Sequence, residues 1–204
     1  IIGLMYIGVF NLRRQDKQYL SFAMMNICSS FFLISLCVGE YPIIYQAGYS
    51  YLWYEKLFRG IAAIASSYFA VSFMKDYLKL KESLSWKIFR SAITIGPCFF
   101  ILFTNSMHDF FIYLGISYIA VSIQMLYACT MILLEIRKNK KKVIELFIGF
   151  IPVLLSILVT VIIFFVKGKI YTLIIVIGWQ ITVFMFLAML IGFFVSQCNR
   201  VDFL

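Results

Sequence analysis

The chain has few charged residues for its length. Asp, Glu, Lys and Arg make up 13% of its 204 residues, whereas a soluble domain usually carries about 25% because its surface must be hydrated. Hydrophobic residues make up 63%, which is more than one core of a chain this size can bury. The composition therefore excludes a soluble domain and predicts a multi-pass protein of the cell membrane that contacts membrane lipid.

Residues that catalyse reactions or bind metal ions are also scarce. The chain has one histidine, five cysteines without CxxC spacing, and no HExxH, GxSxG or glycine-rich phosphate loop. We therefore expect no enzyme activity in this segment, no metal site and no cofactor. The net charge of +9 does not indicate nucleic acid as a partner, because basic residues also collect in the cytoplasmic loops of membrane proteins.

Seven apolar segments separated by short polar connections predict the fold class, an all-α bundle of transmembrane helices. A spanning helix needs about 20 residues, so the first segment is expected to continue a helix that starts before Ile1. We therefore expect one transmembrane domain, residues 1–204, within a longer multidomain protein. The predicted helices cover residues 1–12, 19–38, 57–74, 88–105, 110–136, 144–166 and 170–198.

The basic residues are distributed unequally among the connections. The first, third and fifth connections, together with the C-terminal end, hold 14 of the 18 Lys and Arg residues. The positive-inside rule then places these connections and the C-terminus in the cytoplasm, and the N-terminus outside. The last helix has 29 residues without proline or charge, so its inner end is expected to project beyond the bilayer.

Charged and aromatic residues near the predicted outer end of the third helix form a candidate ligand site. Glu55 and Arg59 are four residues apart and share one helix face. Arg59 either pairs with Glu55 to fix the helix end or binds an anionic group of a ligand. The aromatic side chains around them either anchor the helix at the membrane interface or contribute to the site. The candidate ligand-binding residues are Glu40, Trp53, Tyr54, Glu55 and Arg59.

Three amide side chains are predicted to lie deep in the bilayer. They are Asn26 in the second helix, Gln124 in the fifth and Gln180 in the seventh. Hydrogen bonds between membrane helices contribute about 0.6 kcal/mol each on average. The three amides either make such bonds or form a polar path through the bundle.

Two segments carry a family resemblance. They are GLMYIGVFNLRRQDKQYLSFAMMN at residues 3–26, and GEYPIIYQ followed by YLWYEKLFRGIAAIASSYFAVSFMKDYL at residues 39–46 and 51–78. In order and spacing they resemble the first helices of the membrane domain of bacterial seven-transmembrane receptors with diverse intracellular signalling modules. The resemblance implies a sensory module between an extracytoplasmic sensor domain and a cytoplasmic output domain of the same chain, such as a kinase or a cyclase.

The sequence leaves two functions open. The first is a transmembrane receptor module that relays an extracytoplasmic signal to a cytoplasmic output domain, with a homodimer left open. The alternative is a small transporter or permease. A transporter is expected to have broken helices at matching positions of an internal repeat, and the sequence shows no such repeat.

Overall fold

The structure is a computed structural model that describes residues 2–12, 16–38, 51–167 and 172–201. Within these ranges 92% of the residues are helical and none forms a strand, so the predicted all-α class is confirmed. The segments are α1 (Ile2–Leu12), α2 (Lys17–Val38), α3 (Tyr51–Tyr54), a π-helix (Glu55–Ile61), α4 (Ala62–Leu78), α5 (Leu84–Phe103), α6 (Met107–Glu135), α7 (Lys140–Lys167) and α8 (Thr172–Val201).

Four stretches of the described chain are long and apolar enough to cross a bilayer. They are Lys17–Ser35, Leu52–Leu78, Leu84–Phe103 and Met107–Glu135. Large apolar side chains such as Phe103, Ile119 and Leu126 remain exposed on these helices. An exposed apolar face of this extent is stable in lipid but not in water, so the helices form a membrane-embedded protein, as the composition predicts.

The helix α3, the π-helix and α4 follow one another without interruption from Tyr51 to Leu78, and we refer to them together as the composite helix. It begins six residues before the predicted third helix. It ends at Lys79, which has a left-handed backbone with φ 56°. The N–H of Lys79 donates to Asp76 O, and that of Leu80 donates to Lys75 O at 3.0 Å. These bonds satisfy carbonyls of the last helical turn.

The helix α5 begins at Leu84, four residues earlier than predicted. Ser83 is its N-cap, because the Ser83 hydroxyl accepts a hydrogen bond from the N–H of Trp86 at 3.3 Å. The sequence prediction placed Trp86 and Arg90 before or at the very start of this helix. In the structure both residues lie inside α5.

The described residues group into two compact units, Ile1–Glu135 and Ile136–Leu204. In the first unit α2 packs between α1 and α4, and α6 packs against α4 and α5. Gly3 lets α1 approach α2, since a Cβ at this position would lie 2.7 Å from Ile27 Cγ1. The buried aromatic side chains of this unit include Tyr6, Tyr19, Phe22 and Phe73.

The second unit is the pair formed by α7 and α8. Two glycines allow these helices to approach closely. A Cβ at Gly149 would lie 2.5 Å from the ring of Phe186, and one at Gly178 would overlap Ser156. Small residues at a helix interface are typical of membrane helices that pack backbone to backbone.

Candidate functional site

Three charged side chains lie in the π-helix of the composite helix. We refer to Glu55, Lys56 and Arg59, together with Trp53 and Tyr54, as the Glu55 cluster. π-Helical turns are rare and occur frequently at functional sites, because the wider turn disturbs the regular backbone ladder. The five residues include four of the five candidate ligand-binding residues; Glu40 lies outside the described residues.

Glu55 and Arg59 form the ion pair that their spacing indicates. The distance between Glu55 Oε2 and Arg59 Nη1 is 3.0 Å. The carboxylate is fully buried, whereas the Arg59 side chain is 23% exposed. Tyr118 of α6 interacts electrostatically with both groups, so the pair lies where the π-helix faces α6.

The hydrogen bonding of this pair is incomplete within the described part of the chain. The two groups are close, but neither carboxylate oxygen of Glu55 makes a well-aligned hydrogen bond, and Arg59 Nε has no acceptor. A carboxylate without water is stabilised only when several donors surround it. The Glu55 carboxylate is therefore held by one contact with a side chain that reaches the surface.

Lys56, in contrast to Arg59, makes a structural contact with α5. It is 2% exposed, and its ammonium donates to Leu102 O at 3.1 Å and to Thr104 O. These carbonyls belong to the C-terminal end of α5, where a cation offsets the negative end of the helix dipole. The ammonium also lies 4.6 Å from the ring centroid of Trp53. Lys56 thus fixes the π-helix to α5.

The two aromatic candidates occupy different environments. Trp53 is 49% exposed, whereas Tyr54 is buried, and the Tyr54 ring stacks on Phe58 at 4.9 Å between centroids. Trp53 is consistent with an interface anchor or a ligand contact, and Tyr54 packs within the protein. Only Trp53 and Arg59 of the four described candidates therefore offer surface to a ligand.

A second buried charge cluster involves the other end of the composite helix, and we refer to it as the Arg90 network. Arg90 of α5 is 2% exposed. Its Nε and Nη2 donate to the two carboxylate oxygens of Glu82 at 3.1 and 3.3 Å. Its Nη1 donates to Tyr68 O at 3.1 Å and to Ser72 Oγ at 2.9 Å. This two-point contact is the strongest arrangement of an arginine and a carboxylate.

The Arg90 network extends to one further helix. Lys75 Nζ lies 3.3 Å from Glu82 Oε2 and 3.7 Å from Asp76 Oδ1. Asp76 Oδ2 accepts a hydrogen bond from Ser21 Oγ of α2 at 2.7 Å. The network therefore joins α2, α4, α5 and the connection between α4 and α5. Sequence reasoning missed it, because Arg90 was counted with the basic residues of the third connection.

The three predicted intramembrane amides have three different environments. Gln124 of α6 is buried, and its Nε2 donates to Thr94 Oγ1 of α5 at 2.9 Å. Asn26 Nδ2 donates to Phe22 O of its own helix at 2.8 Å, so this bond does not join two helices. Gln180 of α8 is exposed. Of the hydrogen bonds that these amides make within the described residues, only those of Gln124 join two helices.

A search of the described ranges for three or more His, Cys, Asp or Glu side chains that could hold a metal ion found none. Comparison of the chain with protein-family models, curated proteins and solved structures gave no match.

Proposed function

We propose that this chain is the membrane module of a bacterial sensory receptor. It crosses the cell membrane with seven helices and relays an extracytoplasmic signal to a cytoplasmic output domain outside this segment. An extracytoplasmic sensor domain of the same chain supplies the signal, and the segment itself performs no catalysis. The resemblance of residues 3–26 and 51–78 to receptors of this kind supports the proposal, and so do the four long apolar helices.

The observation that carries the proposal is the incomplete Glu55–Arg59 pair. A fully buried carboxylate with one misaligned contact is a costly arrangement in a membrane, and charged groups there are functional by default. In this proposal, the pair has a second arrangement that is close in free energy. An anionic group that binds the partly exposed Arg59, or movement of a neighbouring domain, shifts the population toward that second arrangement.

The composite helix provides the path by which this change travels. At about 1.5 Å per residue it is roughly 42 Å long, and its far end contacts the Arg90 network through Tyr68, Ser72 and Lys75. When a π-helix converts to an α-helix, one residue passes through the turn. The residues that follow the turn then shift by about 1.5 Å toward the Arg90 network, which holds the far end of the helix. Helix shifts of this size are an established mode of switching.

The last helix fits the role of output element. α8 extends from Thr172 to Val201 without interruption, which gives about 45 Å of helix against a hydrocarbon core of about 30 Å. Its last turns include Gln197, Asn199 and Arg200, which suit the membrane surface rather than its interior. α8 continues as a rod toward the output domain in this proposal.

The proposed orientation has the N-terminus outside and the C-terminus in the cytoplasm. Single cysteines at Gln46 and at Asn139, in a chain without native cysteines, would be exposed to a membrane-impermeant thiol reagent on intact cells. We expect labelling at residue 46 and not at residue 139, because residues 137–142 carry five basic residues. Labelling at residue 139 but not at residue 46 would show that the orientation is the opposite one.

The functional proposal is tested by replacing Arg59 in the full-length protein. We expect Arg59→Ala to remove the response of the output domain to its stimulus, measured per folded molecule. Arg59→Lys keeps the charge and should keep part of the response, and Lys87→Ala, an exposed position in α5, should keep all of it. A full response from Arg59→Ala would exclude a signalling role of the pair. Substrate uptake without any output response would favour a transporter.

A further inference from the structure

A polar cleft lies beside the Arg90 network at the end of the first unit where α2 begins and α4 ends. Its volume is about 310 Å³, and its lining includes Asp16, Lys17, Gln18, Lys75, Asp76 and Lys79. None of the candidate ligand residues of the Glu55 cluster contributes to it. The cleft is therefore separate from the proposed signalling pair.

Three ammonium groups and two carboxylates line this cleft, so its net charge is positive; they belong to Lys17, Lys75, Lys79, Asp16 and Asp76. Asp76 is engaged by Ser21 Oγ at 2.7 Å and by Lys75 at 3.7 Å. Lys17 and Lys79 make no ion pair with a described residue, and both are exposed. Two ammonium groups from different helices therefore face one cleft, and an anion between them would be held from two sides.

A buried amide supplies an independent indication of a ligand. Gln18 is 5% exposed and lines the cleft, yet no described residue supplies a hydrogen-bond acceptor to its Nε2. An unmade hydrogen bond of a buried donor is costly, so such a group normally has a partner. The free donor of Gln18 thus points to an acceptor that occupies the cleft.

Lys79 adopts a backbone conformation that is uncommon for lysine. Lys79 has φ 56°, a conformation that a residue other than glycine adopts infrequently, and its N–H is fixed by the carbonyls of Asp76 and Lys75. Gly or Asn is the usual residue at this position of a helix end. A lysine here therefore costs conformational energy relative to glycine.

We propose that this cleft binds a phosphate group, with Lys17, Gln18 and Lys79 as its donors. Three donors from two directions suit the tetrahedral oxygens of phosphate. The phosphate comes either from the headgroup of an anionic lipid at the membrane surface or from a small soluble phosphate compound. The proposal does not depend on the receptor function, since none of its three donors belongs to the Glu55 cluster.

The proposal is tested on the purified chain in a neutral detergent by equilibrium binding titration. The two probes are dihexanoyl phosphatidic acid and inorganic phosphate, each at an ionic strength matched with sodium chloride. We expect the wild-type chain to bind at least one of them. Binding of the lipid alone identifies a headgroup site, and binding of both probes with similar affinity identifies a site for soluble phosphate; either outcome supports the proposal.

Two single variants and one control identify the site. Gln18→Leu removes the unpaired donor at similar volume, and Lys79→Gly removes the ammonium while it keeps the left-handed backbone accessible. Each should weaken binding about tenfold, with a helical circular dichroism spectrum like that of the wild type. Lys81→Ala, an exposed position outside the cleft, should bind as the wild type does. Wild-type affinity in both cleft variants, or no binding of either probe by the wild type, would overturn the proposal.

Discussion

The composite helix contacts a buried carboxylate near each of its ends, and the two carboxylates are bonded very differently. Glu82 is bound by Nε and Nη2 of Arg90 and by Lys75, at distances of 3.1 to 3.3 Å. Among the described residues, Glu55 contacts Arg59 alone in an ion pair, and neither of its oxygens is in a well-aligned hydrogen bond. The difference indicates that the Glu82 end fixes the structure and the Glu55 end is able to change.

The arginines that pair with the two carboxylates also differ in their exposure to solvent. Arg90 is 2% exposed and also donates to Tyr68 and Ser72 of α4, so its removal would leave several buried groups without partners. Arg59 is 23% exposed, and water or a ligand can replace it in part. Buried charges with a full set of bonds are destabilising to break, whereas poorly bonded ones contribute little to stability.

The largest predicted effect is the loss of stability when Arg90 is removed. Arg90→Ala leaves the buried carboxylate of Glu82 with Lys75 alone, so we expect the free energy of unfolding to fall by about 3–5 kcal/mol. Unfolding in detergent, followed by circular dichroism, measures this change. Lys87→Ala, an exposed position in the same helix, is the control and should change the free energy by less than about 0.5 kcal/mol. Equal stability of the two variants would show that the Arg90 network does not fix this end of the structure.

A smaller effect is expected between these two ends, where Gln124 joins α6 to α5. Gln124→Leu removes the bond to Thr94, and it should lower the free energy of unfolding by about 0.6–1.7 kcal/mol. Gln180→Leu is the matched control, because Gln180 is exposed and its replacement should cost nothing. A greater loss from Gln180→Leu than from Gln124→Leu would contradict the assignment of Gln124 as the interhelical contact.

The contrast between the two carboxylates was only partly predictable from the sequence. The i, i+4 spacing of Glu55 and Arg59 was sufficient to predict their ion pair, because residues at that spacing meet on almost any helical turn. The π-helix itself was not predictable, since the turn depends on packing against α5 and α6 rather than on local propensity. Gly60 illustrates this, because a Cβ there would lie 3.1 Å from the Ile101 side chain of α5.

The Arg90 network was missed for a different reason. The sequence prediction started α5 at Ile88, so Arg90 was counted among the basic residues of a cytoplasmic connection. The signal that would have corrected this is Ser83, an N-cap residue directly before an apolar segment. Its recognition places Arg90 two turns inside the helix, where a charged residue needs a partner. The identity of that partner, Glu82, still required the three-dimensional path of the connection.

The environments of the three amide side chains could not be predicted from the sequence either. Hydropathy placed Asn26, Gln124 and Gln180 at similar depth, but depth does not determine which face of a helix meets a neighbour. In the structure Gln124 faces α5, Asn26 bonds to its own helix and Gln180 is exposed. The apolar lengths of the helices were predictable because the bilayer sets them, whereas helix orientation follows from packing.

The central claim is that Glu55 belongs to the changeable end and Glu82 to the fixed end. The most direct test compares Glu55→Gln with Glu82→Gln in the full-length protein, with output activity measured per folded molecule and stability measured in parallel. Both substitutions replace a buried carboxylate with an amide of the same shape. They differ only in the bonding that surrounds the side chain.

Glu55→Gln should leave the free energy of unfolding within about 1 kcal/mol of the wild type, because the lost contact is weak. It should change the unstimulated output at least about fivefold, which corresponds to a coupling free energy of about 1 kcal/mol or more. Glu82→Gln should instead lower the folded yield and leave the output of the remaining folded molecules unchanged. Wild-type output from Glu55→Gln, together with altered output from folded Glu82→Gln, would contradict the account.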